Sequence, residues 1–301
     1  MRLLVTGATG QVGWEVTRSL MPLGNVIALN RTRCDLSQPD SLAPIIRDLN
    51  PDVIVNAAAY TAVDKAEKEE SLAGVVNSTA VGVLADAAKR NGALLVHYST
   101  DYVFDGTKAS PYIEEDTPSP INAYGRSKLA GEAAIRAVGC DHLILRTTWI
   151  YAARGQNFVK TILRLARERN ELNIVADQFG APTSARNVAD GTAHIVRQAL
   201  QERVLGDFMS GTYHVTSAGG TNWYGFAEAI VRNASLYGLL DSNRLPRITP
   251  IPTSAYPLPA ARPVNSRLSN ELLLNRFNLI LPDWQQSLEY VMQDLAIQDR
   301  N

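Results

Sequence analysis

The sequence predicts an α/β protein whose core is a doubly wound parallel sheet. Short apolar segments alternate with longer segments in which apolar residues recur at helical spacing. Strands are predicted at residues 1–6, 25–30, 53–57, 93–100 and 142–147, and helices at 14–20, 41–49, 71–91 and 127–138. Strands that follow one another through helices pair in parallel, and the helices then cover both faces of the sheet.

The regular alternation ends near residue 147, which predicts two lobes. We expect residues 1–147 to form the first lobe and residues 148–301 to form mainly a smaller, mixed α/β lobe. Helices are predicted at 158–169 and 187–200, and some elements of 185–210 are expected to return to the first lobe.

Composition and charge exclude several classes of protein. The 301 residues are 46% hydrophobic and 20% charged, which excludes an intrinsically disordered chain. The formal net charge is −1 with no block of five or more like charges, so neither nucleic acid nor a membrane surface is an expected partner. Without a bilayer-long apolar run or a signal-peptide pattern, we expect a cytoplasmic protein. No metal-ligand spacing connects the cysteines or histidines, which are interpreted as structural: Cys34, Cys140, His97, His142, His194 and His214.

A glycine-rich turn follows the first predicted strand and opens the first helix. Gly7 permits a tight turn, Gly10 lets the backbone approach a pyrophosphate, and Gly13 allows close packing of helix on strand. Free N–H groups at such a helix start, here in the segment that contains Gln11 and Val12, attract anions. Within a βαβ pattern, the turn predicts a Rossmann-type dinucleotide site.

The residue that closes the second predicted strand bears on the choice of cofactor. An acid there would bind the adenosine ribose and repel a 2′-phosphate. The residue is Asn30, and two arginines follow closely, so we expect the protein to accept NADPH or NADH. The third predicted strand ends in small residues that let a backbone pass beneath a flat cofactor: Ala57, Ala58 and Ala59.

Three polar residues suit proton donation to a substrate. Tyr124 and Lys128 are four residues apart and therefore share one face of a helix. A nearby cation can lower the pKa of a tyrosine, ordinarily about 10, by about 1–3 units, which suits a proton donor. Thr100 ends a predicted strand at the sheet edge where open α/β folds bind ligands, and its hydroxyl could polarise a carbonyl.

Together, the glycine turn, Thr100, Tyr124 and Lys128 resemble the short-chain dehydrogenase/reductase superfamily in its extended form. Asp35 and Leu36 resemble the acid and apolar pair that holds adenine in that superfamily. Longer strings resemble a narrower family, the dTDP-4-dehydrorhamnose reductases, from residue 1 to at least 266: STDYVFDG at 99–106, RTTWIY at 146–151, DQFGAPT at 177–183 and RPVNS at 262–266.

This resemblance implies a specific reaction and a set of site residues. The family reduces the C4 ketone of dTDP-6-deoxy-L-lyxo-4-hexulose to dTDP-L-rhamnose, the last step in making a sugar donor for bacterial surface polysaccharide such as O-antigen. By resemblance, Thr100, Tyr124 and Lys128 are catalytic, and the nucleotide-sugar substrate also contacts Phe104, Asp105 and Trp149, the second lobe being mainly substrate-binding. A homodimer with magnesium at its interface is also implied, although no sequence motif places the metal.

Two alternatives remain open from sequence. A nucleotide-sugar epimerase or dehydratase of the same superfamily shares the glycine turn, the threonine and the tyrosine–lysine pair, but keeps its NAD bound. A non-catalytic subunit, similar to the regulatory subunit of methionine adenosyltransferase, would act by binding a partner. The intact Thr100, Tyr124 and Lys128 favour an enzyme.

Overall fold

The computed structural model describes residues 1–300, with only the backbone described at Arg300. Within this range the strands are β1 (Arg2–Thr6), β2 (Asn25–Leu29), β3 (Val53–Asn56), β4 (Leu94–Thr100), β5 (His142–Thr147), β6 (Ile150–Tyr151), β7 (Glu171–Val175), β8 (Phe179–Gly180), β9 (Thr183–Ser184), β10 (Gly211–His214), β11 (Thr221–Asn222) and β12 (Arg247–Ile251). The α-helices are α1 (Gln11–Ser19), α2 (Leu42–Leu49), α3 (Val63–Ala66), α4 (Glu70–Gly74), α5 (Ala80–Asn91), α6 (Ala123–Val138), α7 (Phe158–Glu168), α8 (Ala185–Leu205), α9 (Trp223–Leu236), α10 (Glu271–Phe277) and α11 (Trp284–Arg300).

The central sheet confirms the predicted α/β fold class. In the described part of the chain it has six strands in the order β10-β5-β4-β3-β1-β2, all paired in parallel. From β1 the chain adds β2 on one side, and it then crosses to the other side and adds β3, β4 and β5 in turn. This reversal between β1 and β3 is typical of a doubly wound Rossmann-type sheet. All five predicted strands are present, and β10 adds an edge strand beside β5 that the sequence pattern did not indicate.

Alternation along β1 shows how the sheet is covered on both faces. Leu3 and Val5 pack on one face, in a cluster that includes α1 and α8 residues. Leu4 packs on the other face with Ile46 of α2 and Leu84 of α5. Because Leu3 and Leu4 are fully buried, truncation of either one to alanine would lower the free energy of unfolding by about 2–5 kcal/mol.

A second hydrophobic core lies between α7, α9 and α11. Phe226 of α9 and Trp284 of α11 contact each other there edge to face, with ring centroids 5.9 Å apart. Three two-stranded sheets surround this core: β7 with β12, β8 with β11, and β6 with β9. Two elements that follow residue 147 belong to the central sheet and its covering helices: α8 packs against α1, and β10 pairs with β5. The division into lobes at residue 147 stays a prediction.

The helical segment Glu70–Asn91 combines α4, a π-helical turn at Val75–Thr79 and α5. By length and mean hydropathy, 1.3, this segment could cross a membrane, but α5 packs against α2 and α6 beside the sheet. The π turn brings the carbonyl of Asn77 close to α6, where a Cβ on Gly131 would lie 2.1 Å from it. Glycine at 131 therefore lets the two helices approach closely.

Candidate active site

The glycine turn lies where β1 meets α1, at the carboxyl edge of the sheet. Gly7 has a φ of +66°, and a Cβ there would lie 2.7 Å from the backbone nitrogen of Ala58. A Cβ on Gly13 would lie 2.0 Å from the Gly7 carbonyl oxygen. Side chains are thus excluded from both positions. Because α1 begins at Gln11 with Gly10 as its N-cap, N–H groups at this helix start are free for a phosphate.

The adenosine end of the predicted cofactor site lies beyond β2. Asn30 follows this strand, and its Oδ1 accepts a hydrogen bond from Arg33 N at 3.2 Å. Asp35 Oδ1 accepts from the backbone and hydroxyl of Ser37, and the backbone N–H contributes most to holding the Asp35 pKa below its ordinary value. Leu36 is only 3% exposed and packs in the core, so little of its side chain is available to an adenine.

Tyr124 and Lys128 both lie in the first turns of α6, as predicted. The helix begins earlier than the pattern indicated, because the Asn122 side chain accepts from Gly125 N at 2.8 Å and caps it. A Cβ on Gly125 would lie 2.1 Å from the carbonyl oxygen of Tyr102, so this glycine brings α6 against the segment after Thr100. The structure therefore brings the three predicted catalytic residues to one edge of the sheet.

A buried ion pair fixes α6 against the sheet. Glu132 of α6 accepts hydrogen bonds from Arg146 of β5 at 2.7 and 2.8 Å and from Ser99 Oγ of β4 at 2.6 Å. These bonds hold the pKa of Glu132 below its ordinary value despite burial. Glu132 lies one turn beyond Lys128, so the pair also sets the position of the lysine.

Burial, and not the lysine, dominates the proton affinity of Tyr124. Burial raises the pKa of its phenol above the ordinary 10.0, and a hydrogen bond with the Thr100 hydroxyl acts against this increase. The sequence-based expectation of a Tyr124 pKa lowered by Lys128 is therefore wrong. The lysine nitrogen is engaged elsewhere: Lys128 Nζ donates to the Tyr98 carbonyl oxygen at 2.6 Å and lies 3.1 Å from His97 Nε2.

Lys128 is itself 2% exposed. Burial lowers its pKa to about 8, while the negative charge of Glu132 raises it. A lysine with this pKa exchanges a proton near neutral pH, unlike a lysine in water.

Asp101 is a candidate site residue that the sequence reasoning missed. Its Oδ1 accepts from Thr100 Oγ1 at 3.0 Å, and Thr100 Oγ1 in turn accepts from Tyr102 N at 3.2 Å. Burial raises the pKa of Asp101 to about 6. An acid directly after Thr100, in a buried strand end, was the signal that could have indicated it.

Of the predicted substrate contacts, Trp149 has the most distinctive geometry. It follows β5 with a φ of +46°, a conformation that bulky residues rarely adopt. Its indole stacks on Trp223 with ring centroids 3.5 Å apart, and a Cβ on Gly180 would lie 2.5 Å from it. Trp149 thus joins the sheet edge to the second core while staying partly exposed.

The two other residues that were predicted to contact the substrate, Phe104 and Asp105, contact neighbouring residues of the protein. Phe104 is 1% exposed, stacks on Tyr112 at 4.2 Å and meets His214 edge to face. The ring is therefore a core residue with almost no surface for a ligand. Asp105 Oδ1 accepts from the hydroxyl of Tyr112 at 2.7 Å and from Thr107 N at 3.0 Å, which holds the following turn.

A metal site is not evident in the structure. Among residues 1–300, His, Cys, Asp and Glu side chains form no group of three or more that could hold a metal ion. Within the described residues there is therefore no such group to hold the magnesium that the sequence resemblance implies.

Comparisons with known proteins agree with this geometry. The model of the family described as "RmlD substrate binding domain" matches residues 1–297. The dTDP-4-dehydrorhamnose reductase of Burkholderia thailandensis is 59% identical over 99% of this chain and 100% of that protein. The chain belongs to the dTDP-4-dehydrorhamnose reductase family.

More distant members of the family agree with this placement. The Escherichia coli enzyme of the same name is 47% identical over 98% of each chain. The crystal structure of a Bacillus anthracis dTDP-4-dehydrorhamnose reductase in complex with NADP has a TM-score of 0.85 at 35% identity, covering 97% of this chain and 99% of that one. The resemblance noted in the sequence strings is thereby confirmed.

Proposed function

We propose that this protein reduces the C4 ketone of dTDP-6-deoxy-L-lyxo-4-hexulose to dTDP-L-rhamnose, the last step of dTDP-rhamnose synthesis. The observation that carries the proposal is the 59% identity, over essentially full length, to a dTDP-4-dehydrorhamnose reductase. The convergence of Thr100, Tyr124 and Lys128 beside the glycine turn supports it with a site suited to carbonyl reduction.

The cofactor is NADPH or NADH, which supplies a hydride when bound. The turn formed by Gly7, Gly10, Gln11, Val12 and Gly13 fits its pyrophosphate, because side chains are excluded there and helix N–H groups are free. We assign Asn30 and Asp35 to the adenosine ribose and adenine, and the three alanines that follow β3 to the surface beneath the cofactor.

Proton delivery is the main task of the protein's own groups. Reduction of a ketone places negative charge on the carbonyl oxygen, which must be neutralised as it forms. Tyr124, held protonated by its raised pKa, donates that proton. Lys128 binds the nicotinamide ribose and stabilises the phenolate that remains. Thr100 orients the carbonyl oxygen toward the phenol.

Asp101 determines whether the Thr100 hydroxyl is free to donate. In the structure, the Thr100 hydroxyl donates to Asp101 Oδ1. When Asp101 is protonated it can donate to Thr100 instead, and the Thr100 proton then becomes available to the substrate. The raised pKa of Asp101, about 6, makes this exchange accessible.

The substrate lies against the second lobe in this proposal. Trp149 offers an aromatic surface to the pyrimidine or the deoxysugar, and Asp105 retains a second carboxylate oxygen for a sugar hydroxyl. The family resemblance also supports a homodimer in the cytoplasm, which sedimentation and cell fractionation would test.

A spectrophotometric assay tests the proposed function. The purified protein is mixed with the dTDP-4-keto-6-deoxy sugar and either NADPH or NADH, and the nicotinamide absorbance is followed. We expect it to fall only when sugar and protein are both present. An epimerase would instead carry tightly bound NAD after purification and convert the sugar without consuming added cofactor. A non-catalytic subunit would leave both the absorbance and the sugar unchanged.

A further inference from the structure

His97 connects the proposed catalytic lysine to the strand that ends beneath the cofactor site. It lies on β4, three residues before Thr100, and is 0% exposed. Its Nε2 lies 3.1 Å from Lys128 Nζ, and its Nδ1 lies 3.0 Å from Asn56 Nδ2. Both ring nitrogens thus face polar partners inside the protein, which is more than the packing role that the sequence indicated.

The orientation of the Asn56 amide decides which ring nitrogen bears the proton. The backbone N–H of Ala58 can only donate, and it lies 3.3 Å from Asn56 Oδ1, which also accepts from Thr6 Oγ1 at 2.6 Å. The network therefore assigns the Asn56 N–H to His97 Nδ1, which accepts. A neutral imidazole has one N–H, which then lies on Nε2 and faces Lys128.

An N–H opposite Nζ favours the neutral amine of Lys128, because an ammonium has no lone pair with which to accept. Burial acts in the same direction. It lowers the pKa of Lys128 to about 8 and holds that of His97 well below its ordinary value, so that the ring stays neutral. Glu132 on α6 acts in the opposite direction, but its carboxylate is paired with Arg146 of β5.

We propose that His97 is a positioning residue that holds the Lys128 side-chain nitrogen in place and makes its ammonium form less favourable. For the ammonium to form, His97 Nε2 must become an acceptor and the ring proton must move to Nδ1. The Asn56 amide must then turn over, and Ala58 N loses its acceptor. The cost of these linked changes reduces the basicity of Lys128.

This inference rests on the proposed function in one respect, the assignment of Lys128 to the nicotinamide ribose. If it is correct, protonation of Lys128 is coupled to the segment that includes Ala58, on which the cofactor would lie. Cofactor affinity should then depend on pH through the ammonium of Lys128, even without sugar.

The pH dependence of NADPH binding, measured by fluorescence titration without sugar, tests the proposal. Affinity of the wild-type protein should fall as pH rises through about 8, because Lys128 loses its proton there. This fall should be absent in Lys128→Met. In His97→Asn, the shorter amide can still meet Asn56 but cannot reach Nζ, so the fall should move to higher pH by about half a unit or more. In His97→Gln the amide reaches Nζ but has no atom opposite Asn56 to fix its orientation, so its oxygen can accept from the ammonium and the fall should also move to higher pH.

Several outcomes would overturn the proposal. One is a fall in affinity that stays at the wild-type pH in folded His97→Asn, and another is an equal loss of affinity at every pH, as a purely structural role would produce. A wild-type protein without the pH-dependent fall would also contradict it.

A second variant allows the proposal to be tested if the first variant does not fold. If circular dichroism shows that His97→Asn does not fold, Asn56→Asp replaces it, because a carboxylate accepts from Nδ1–H and leaves Nε2 to accept from the ammonium. It should move the fall to higher pH without a change of volume, and an unmoved fall contradicts the proposal. Failure of the proposed function would look different: no turnover of the sugar, with the pH-dependent binding intact.

Discussion

At the scale of single residues, burial sets the proton affinities of the site. It raises the pKa of Tyr124 and lowers that of Lys128 to about 8, in each case disfavouring the charged form. The phenol of Tyr124 is therefore protonated, which is the form that a proton donor requires. The Lys128 nitrogen is held by the Tyr98 carbonyl oxygen and lies beside His97, so its position is fixed within the protein.

Replacement of Tyr124 by phenylalanine removes the donated proton and keeps the ring. We expect kcat to fall by about 10²–10⁴, the usual contribution of a general acid, while NADPH affinity stays nearly unchanged. Tyr224→Phe is the matched control, since the Tyr224 hydroxyl donates only to Glu228 on the same helix. A Tyr124→Phe protein that keeps more than about a tenth of the wild-type rate would exclude Tyr124 as the acid.

Replacement of Asn30 by aspartate tests the adenosine end of the cofactor site. Aspartate keeps the oxygen that accepts from Arg33 N, so the turn after β2 should persist. Its charge should weaken NADPH far more than NADH, because like charges in desolvated contact cost on the order of several kcal/mol. The measurement is the ratio of the two dissociation constants. An unchanged ratio would show that Asn30 does not face the 2′-phosphate.

At the scale of elements, the hydrophobic pattern predicted those that are long enough to show it. The strands of the central sheet, from β1 to β5, are continuous apolar runs separated by amphipathic helices. Strands of two residues, such as β8 and β11, have no period to recognise, and they form only because distant segments meet. The edge strand β10 was missed because four residues of mixed polarity resemble a loop.

The site was predictable where position along a strand determines it. Thr100 ends β4 and Gly7 follows β1, and the carboxyl ends of parallel strands must lie on one edge of the sheet. The burial of Phe104 depends on how the segment after β4 packs against Tyr112 and His214, and the pairing of His97 with Lys128 depends on how β4 packs against α6. No local pattern in the sequence contains that information.

Through the strained backbone after β5, Trp149 connects the central sheet to the second core. Trp149→Ala removes the stacking on Trp223 and the proposed surface for the substrate. We expect kcat/KM for the sugar nucleotide to fall by the equivalent of about 1–3 kcal/mol, with little change in NADPH affinity. Trp149→Phe should recover part of the loss. A large drop in NADPH affinity of the folded variant would instead place Trp149 beside the nicotinamide.

At the scale of the whole molecule, the loop after β6 connects the glycine turn to the second core. Asn157 Nδ2 donates to Gln11 Oε1 and to the Ala152 carbonyl oxygen, both at 2.8 Å, while its Oδ1 caps α7. The Arg154 guanidinium lies 3.8 Å from the centre of the Trp14 ring on α1. If the cofactor binds at the glycine turn as proposed, we expect its affinity to depend on this connection to α7.

Replacement of Asn157 by serine separates the cap from the connection to Gln11. Serine can still cap α7 but cannot reach Gln11, so we expect KM for NADPH to rise several-fold with only a small loss of melting temperature. Asn222→Ser is the control, because Asn222 caps α9 in the same way away from the glycine turn. Equal effects of both variants on KM would show that the connection does not matter to cofactor binding.

Transfer of deuterium from labelled cofactor to the sugar tests the central claim most directly. NADPH deuterated at C4 of the nicotinamide, on the face from which hydride is transferred, is incubated with the protein and the dTDP-4-keto-6-deoxy sugar. The account predicts dTDP-L-rhamnose with one deuterium at C4 of the sugar for each NADPH oxidised, seen by NMR and mass spectrometry. Oxidation of NADPH without deuterium at that carbon, or conversion of the sugar with no NADPH oxidised, would contradict it.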